Sequence, residues 1–193
     1  IRLTLMNHEN EQKTAVLDLP ATEERMQEVQ AELDAPEWFD AQFISCDAIV
    51  PQLNTMLTDV EDLPRINELA HSLLKLKANG QLTKFKAVVG ATQCESLDDV
   101  FDRLEKLPQY CFEAKIRDKN ALVRDELEFV LGGKDADLIY KHLNCEAYAE
   151  DVLKQYGAEI TPYGMVNRED FGLLHEPIPE QKQEQTQEPQ MGM

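Results

Sequence analysis

Asp59-Val60-Glu61-Asp62-Leu63-Pro64 marks the point at which the pattern of this chain changes. Before it, short apolar stretches read as strands around one helix. After it, apolar residues recur at three- and four-residue spacing, as they do on a helix face. Pro64 suits the first turn of a helix, where its missing N–H would have had no intrahelical partner. Ile66, Leu69, Leu73 and Leu76 then form one stripe, which Asn79-Gly80 ends. Leu82, Phe85, Val88 and Val89 predict a second helix. Ser96, with Asp99 three residues later, starts a third, carrying Leu97, Val100, Phe101 and Leu104 to a stop at Leu107-Pro108. Helices this short need one another's apolar faces, so residues 59–107 are expected to form a small helical domain.

Working upstream, Ile1-Arg2-Leu3-Thr4-Leu5 alternates as a strand does, and Thr14 to Leu19 offers a second strand after a polar turn, so a hairpin is expected. Thr22 precedes Glu23 and Glu24 as a cap precedes an acidic first turn, and Met26, Val29 and Leu33 share the face of a helix that ends before Pro36. Trp38 to Ile44 reads as a returning strand, with Phe39, Ala41 and Phe43 on one side. Residues 1–58 thus read as an α+β domain.

Downstream, Tyr110 to Ile116 permits a strand, and Asp118 or Asn120 caps a helix carrying Val123, Leu127 and Val130 to Gly132-Gly133. A short helix over Leu138 to His142, a longer one over Glu146 to Gln155 ending at Gly157, and an extended segment from Ile160 to Val166 complete a second α+β domain, residues 108–175. Pro162 is more comfortable near a sheet edge than inside one. Proline, glutamine and glutamate dominate from Glu176 to Met193, the composition of a disordered tail. The fold class expected is α+β, in the order α+β, helical, α+β.

Charge is the most informative bulk property. The chain holds 37 Asp and Glu against 19 Lys and Arg, a formal net charge of -18. A body so charged repels phosphate backbones, so direct nucleic-acid binding is disfavoured and basic surfaces are its natural partners. No apolar run reaches the length of a membrane span, and no export signal is visible, so a soluble protein without membrane contact is expected. Cys46, Cys94, Cys111 and Cys145 stand far apart with no Cys-x-x-Cys pair, which favours free thiols in a reducing, cytoplasmic compartment.

Chemistry is harder to find. No phosphate-binding loop, dinucleotide fingerprint, zinc-protease motif or nucleophile elbow is present. His142 and Cys145 lack further ligands at metal-binding spacing. A cysteine nucleophile would need His71 and Cys94 to meet across two helices. No cofactor or metal is expected, and the chain reads as a non-enzyme. What the acids offer is spacing: Glu24, Glu28 and Glu32, or Asp125 and Glu128, fall on common helical faces. Duplex DNA presents one phosphate every 3.4 Å of each strand, an array that helix-borne carboxylates would imitate.

Leu138-Ile139-Tyr140-Lys141-His142-Leu143-Asn144-Cys145-Glu146-Ala147-Tyr148-Ala149-Glu150-Asp151-Val152, followed by Tyr163-Gly164-Met165-Val166, resembles the C-terminal region of the ArdA antirestriction family. Ile66-Asn67-Glu68-Leu69-Ala70 and the helices after it look like that family's central module. Cys145, Ala149, Glu150 and Met165 depart from its usual residues. The resemblance covers roughly residues 59–166, and the N-terminal unit by layout only. It implies an elongated homodimer that mimics DNA and occupies the DNA-binding groove of type I restriction-modification enzymes, at their DNA-binding and methyltransferase core. It also implies a mobile genetic element, such as a plasmid or conjugative transposon.

On that reading, helical exposure nominates Glu24, Glu28, Glu32, Asp98, Asp99, Asp102, Asp125, Glu128, Glu150 and Asp151 as partner-binding. Leu138, Tyr140, Leu143, Ala147 and Tyr148 are nominated for packing or dimer contact. A non-catalytic acidic adaptor for a basic host or conjugation protein, and a hydrolase using His71 or Cys94, are the alternatives.

Overall fold

The computed structural model describes residues 1–176, the side chain of Glu61 excepted, so the expected tail lies outside the described residues from residue 177 onward. The described chain is α+β: eight α-helices and two small three-stranded antiparallel sheets.

Strands β1 (Arg2–Asn7) and β2 (Thr14–Asp18) form the expected hairpin, and β3 (Ala41–Asp47) pairs with the other side of β1. Alternation puts Leu3, Leu5, Ala15 and Leu17 inside, together with Val29 and Leu33 of helix α1 (Glu23–Leu33). The Thr22 hydroxyl accepts from the Arg25 N–H at 3.3 Å and caps α1. Asn7 fixes sheet and helix together. Its side-chain amide donates to the carbonyls of Leu33 and Asp34 (3.0 and 3.2 Å), and its oxygen accepts from the amides of Glu9 and Asn10 (2.7 and 2.8 Å). One side chain so closes the hairpin turn and satisfies carbonyls at the end of α1.

The expected strand over Trp38 to Ile44 is corrected. Trp38–Asp40 is a 3-10 turn, closed where the Asp40 carboxylate accepts from the Glu37 N–H, and the strand starts only at Ala41. Phe39 therefore leaves the shared face and is 68% exposed. Ile44 is an extra residue in β3: Thr4 pairs with Ser45 and Leu5 with Phe43. Such a bulge bends an edge strand and discourages further pairing. A short helix α2 (Leu53–Met56) and a 3-10 turn at Val60–Asp62, neither anticipated, pack against β3.

Helices α3 (Leu63–Ala78), α4 (Leu82–Ala91) and α5 (Leu97–Glu105) follow the sequence expectation closely. Ser96 and Asp99 form a reciprocal capping box at α5. The buried residues of these helices and those of the N-terminal sheet form one continuous core, which extends to Tyr110, Val166 and Leu174.

Strands β4 (Tyr110–Glu113), β5 (Glu159–Thr161) and β6 (Gly164–Arg168) form the second sheet, in the order β4-β6-β5. Helices α6 (Lys119–Leu131), α7 (Gly133–Tyr140) and α8 (Cys145–Tyr156) gather a second core around Leu122, Val123, Leu127, Ala149 and Val152. All five residues of β6 are buried. The sheet is covered twice: α4 packs on it and Val166 joins the first core, while Met165 joins the second.

Three local expectations change here, and one left open is decided. The Tyr110 strand stops at Glu113, because the Ile116 N–H turns back onto the Glu113 carbonyl at 3.2 Å. Asp118, not Asn120, caps α6, its carboxylate accepting from the Ala121 N–H at 2.8 Å. Gly132-Gly133 is a joint as well as a stop. At φ +75° Gly132 ends α6 and accepts the Ala136 N–H at 3.1 Å, so α7 begins at Gly133, well before Leu138. The single segment from Ile160 to Val166 is a hairpin turning at Pro162-Tyr163, where a Cβ on Gly164 would meet the Glu113 carbonyl oxygen at 2.6 Å.

Candidate partner-binding surface

On α1, Glu24, Glu28 and Glu32 are exposed. The Glu24 carboxyl is held below its ordinary range by its own backbone N–H and by the Thr22 hydroxyl. Arg25 lies between the other two, donating to Glu28 at 3.0 Å and Glu32 at 2.9 Å. Two of the three nominated acids on this helix are thus already partnered.

Asp98, Asp99 and Asp102 on α5 do different work. Asp98 pairs with Arg65, which also lies 3.8 Å from Asp62. Asp99 accepts from the Ser96 hydroxyl and amide, which lower its pKa below the usual carboxylate range. Asp102 pairs with Arg103 and, at 2.6 Å, with Lys106. Local capping and pairing occupy this acidic cluster.

On α6 and α8, Lys119 pairs with Glu146 and, at 3.0 Å, with Glu150. Asp125, Glu128 and Asp151 are exposed and form no ion pair among the described residues. The ten nominated acids therefore divide. Glu28, Glu32, Asp98, Asp102 and Glu150 are ion-paired, Glu24 and Asp99 are held at helix starts, and only Asp125, Glu128 and Asp151 are open.

The residues nominated for packing divide too. Tyr140 lies under the Arg124 guanidinium, 4.3 Å from its carbon to the ring centre, and its hydroxyl lies 3.2 Å from the Asn120 side-chain oxygen. Leu143 and Tyr148 pack against the second core. Leu138 is 61% exposed, and Ala147 is also exposed. The sequence reading missed further exposed apolar side chains on α6 and α7: Phe129 is 87% exposed and Val130 61%, with Leu131 and Ile139 also on the surface. Val130 continues the Val123–Leu127 stripe past the end of the core. The missed signal is the run Phe129-Val130-Leu131, since three consecutive helical positions cannot share one buried face.

His71 is exposed and Cys94 buried. Burial pushes the Cys94 thiol up, away from the thiolate a nucleophile needs, and its sulfur lies 3.4 Å from the Thr92 hydroxyl. Among the described residues the four cysteines are free, and no group of acids, histidines and cysteines is arranged to hold a metal. No described helix is long and apolar enough to cross a membrane. Comparison of the chain with protein-family models and with curated proteins gives no match.

Proposed function

We propose that this chain is an antirestriction protein, an acidic DNA mimic that occupies the DNA-binding groove of type I restriction-modification enzymes without turnover. The carrying observation is the placing of carboxylates on the outer faces of packed helices, Glu24, Glu28 and Glu32 on α1, Asp125 and Glu128 on α6, and Glu150 and Asp151 on α8. Acids on rigid elements keep a spacing that a basic groove built for phosphates would recognise. The likeness of residues 138–152 and 163–166 to the ArdA family supports the same reading.

The protein acts as a homodimer in this reading. Phe129, Val130, Leu138 and Ile139 offer the apolar surface. Residues 129–143 carry Lys134 and Lys141 against Asp135 and Asp137, a local balance that lets two strongly acidic chains approach there. The deciding experiment is competition. A purified type I enzyme should bind the chain at low salt and lose DNA in proportion. Simultaneous binding of both would point instead to an acidic adaptor.

A further inference from the structure

We propose that the cleft between α6 and α7 is a binding site for a small zwitterionic amino acid with an apolar side chain. Tyr140, at the end of α7, reaches back to Asn120 near the start of α6, so the two helices run alongside one another after the joint at Gly132. The space they leave measures about 210 Å³, room for about seven water molecules. Leu127 and Ala136, both buried, supply its apolar lining. Gly133 contributes no side chain, and a Cβ there would meet no atom within 4 Å.

The polar lining carries both signs of charge. Arg124 lies over the Tyr140 ring, 4.3 Å from its guanidinium carbon to the ring centre, and the Tyr140 hydroxyl donates to the Asn120 side-chain oxygen at 3.2 Å. The ring thus holds the guanidinium through its face. Among the described residues no carboxylate pairs with Arg124, so its planar fork of N–H groups is free to take a carboxylate two-pronged. Glu128 on α6 and Asp137 on α7 also line the cleft, exposed and without an ion pair among the described residues.

This combination selects the ligand. A simple anion would suit Arg124 but meet two carboxylates and the field of a chain of net charge -18. A simple cation would suit the carboxylates but meet Arg124. A ligand with an ammonium and a carboxylate on one carbon satisfies both, and the apolar lining takes its side chain. Arg124, Leu127 and Glu128 recur at three- and four-residue spacing, as do Gly133, Ala136, Asp137 and Tyr140. Phe129, Leu138 and Ile139 fall outside those stripes, so the cleft is a different surface from the apolar one. This inference needs no partner enzyme and stands apart from the antirestriction reading.

Titration of the isotope-labelled full chain with L-leucine, followed by amide NMR shifts, tests it. Amides of residues 124–140 are expected to shift and saturate, with a dissociation constant of about a millimolar. N-acetyl-L-leucine, which lacks the ammonium, and L-leucinamide, which lacks the carboxylate, should each bind about fivefold or more weakly. Arg124→Gln should bind L-leucine no better than L-leucinamide. Glu128→Gln with Asp137→Asn should bind L-leucine no better than N-acetyl-L-leucine. Both variants should keep the wild-type helical signal, because the three side chains are exposed. Absence of saturable shifts at tens of millimolar, shifts confined to residues outside 124–140, equal binding of either blocked form, or wild-type affinity in the variants would overturn the proposal.

Discussion

Met165 and Val166 are neighbours on β6, yet each belongs to a different core. A strand buried on both faces couples what packs on either side of it. Met165→Ala should destabilise the chain by about 2–3 kcal/mol, since it empties space against α6 and α8. The loss should also reach Trp38, which packs on the other core and is the only tryptophan. Urea unfolding followed by Trp38 fluorescence and by circular dichroism should shift together. A Trp38 transition left at its wild-type midpoint would show that the cores unfold separately.

The apolar surface on α6 and α7 predicts assembly. Light scattering on the eluting protein should give about twice the 22.1 kDa chain mass. Phe129→Ser with Leu138→Ser should return it to one chain mass with the helical signal unchanged, because both side chains are more than half exposed. A wild-type monomer at tens of micromolar would refute the dimer.

Open and paired acids should not contribute equally to partner binding. Asp125→Asn, Glu128→Gln and Asp151→Asn are each expected to weaken binding to a type I enzyme by roughly two- to threefold at low salt, and less as salt screens the attraction. Glu28→Gln and Glu32→Gln should cost less, because Arg25 already engages both carboxylates. Equal losses at all five positions would mean that pairing within the chain is irrelevant to the surface a partner meets.

Arg168 predicts a pH dependence. Its side chain is only 3% exposed, and its hydrogen bonds hold the Asp170 carboxyl below the ordinary carboxylate range. A depressed folded-state pKa stabilises above the unfolded value, about 3.9, and that contribution is lost as pH falls through the folded value. Asp170→Asn should therefore cost about 1–2 kcal/mol at pH 7, a figure kept small because Asp170 is half exposed, and progressively less as the pH falls below about 3.9. Urea midpoints across that range would show the two curves converging. A constant gap would assign the loss to packing.

Much of this fold is legible in the sequence where a local rule and the packing agree. Thr22, Ser96 and Asp118 cap helices as their residue types suggest, and Gly157 ends α8 in the left-handed region. The Trp38 segment misled because alternation of Phe39, Ala41 and Phe43 imitates a strand, while the Glu37–Asp40 hydrogen bonds favour a turn. Gly132 misled because glycine both ends and restarts helices, and only the Ala136 bond decides which. Sequence spacing finds which acids share a helical face. It does not find Arg25, Arg65 or Lys119 among them, since two of those three bases reach acids about thirty residues away.

Those three bases have a further consequence. Each stands between two carboxylates, so six acids become three groups of single net charge, each spread over two elements or two helical turns. From afar a partner feels the whole charge of the chain, whichever acids supply it. At contact distance it meets a pattern in which the open acids stand out from the bridged ones. Far field and near field are thus carried by different residues. Neutralising a bridged acid should slow encounter and leave the lifetime of a complex almost untouched, whereas neutralising Asp125 or Asp151 should shorten that lifetime as well.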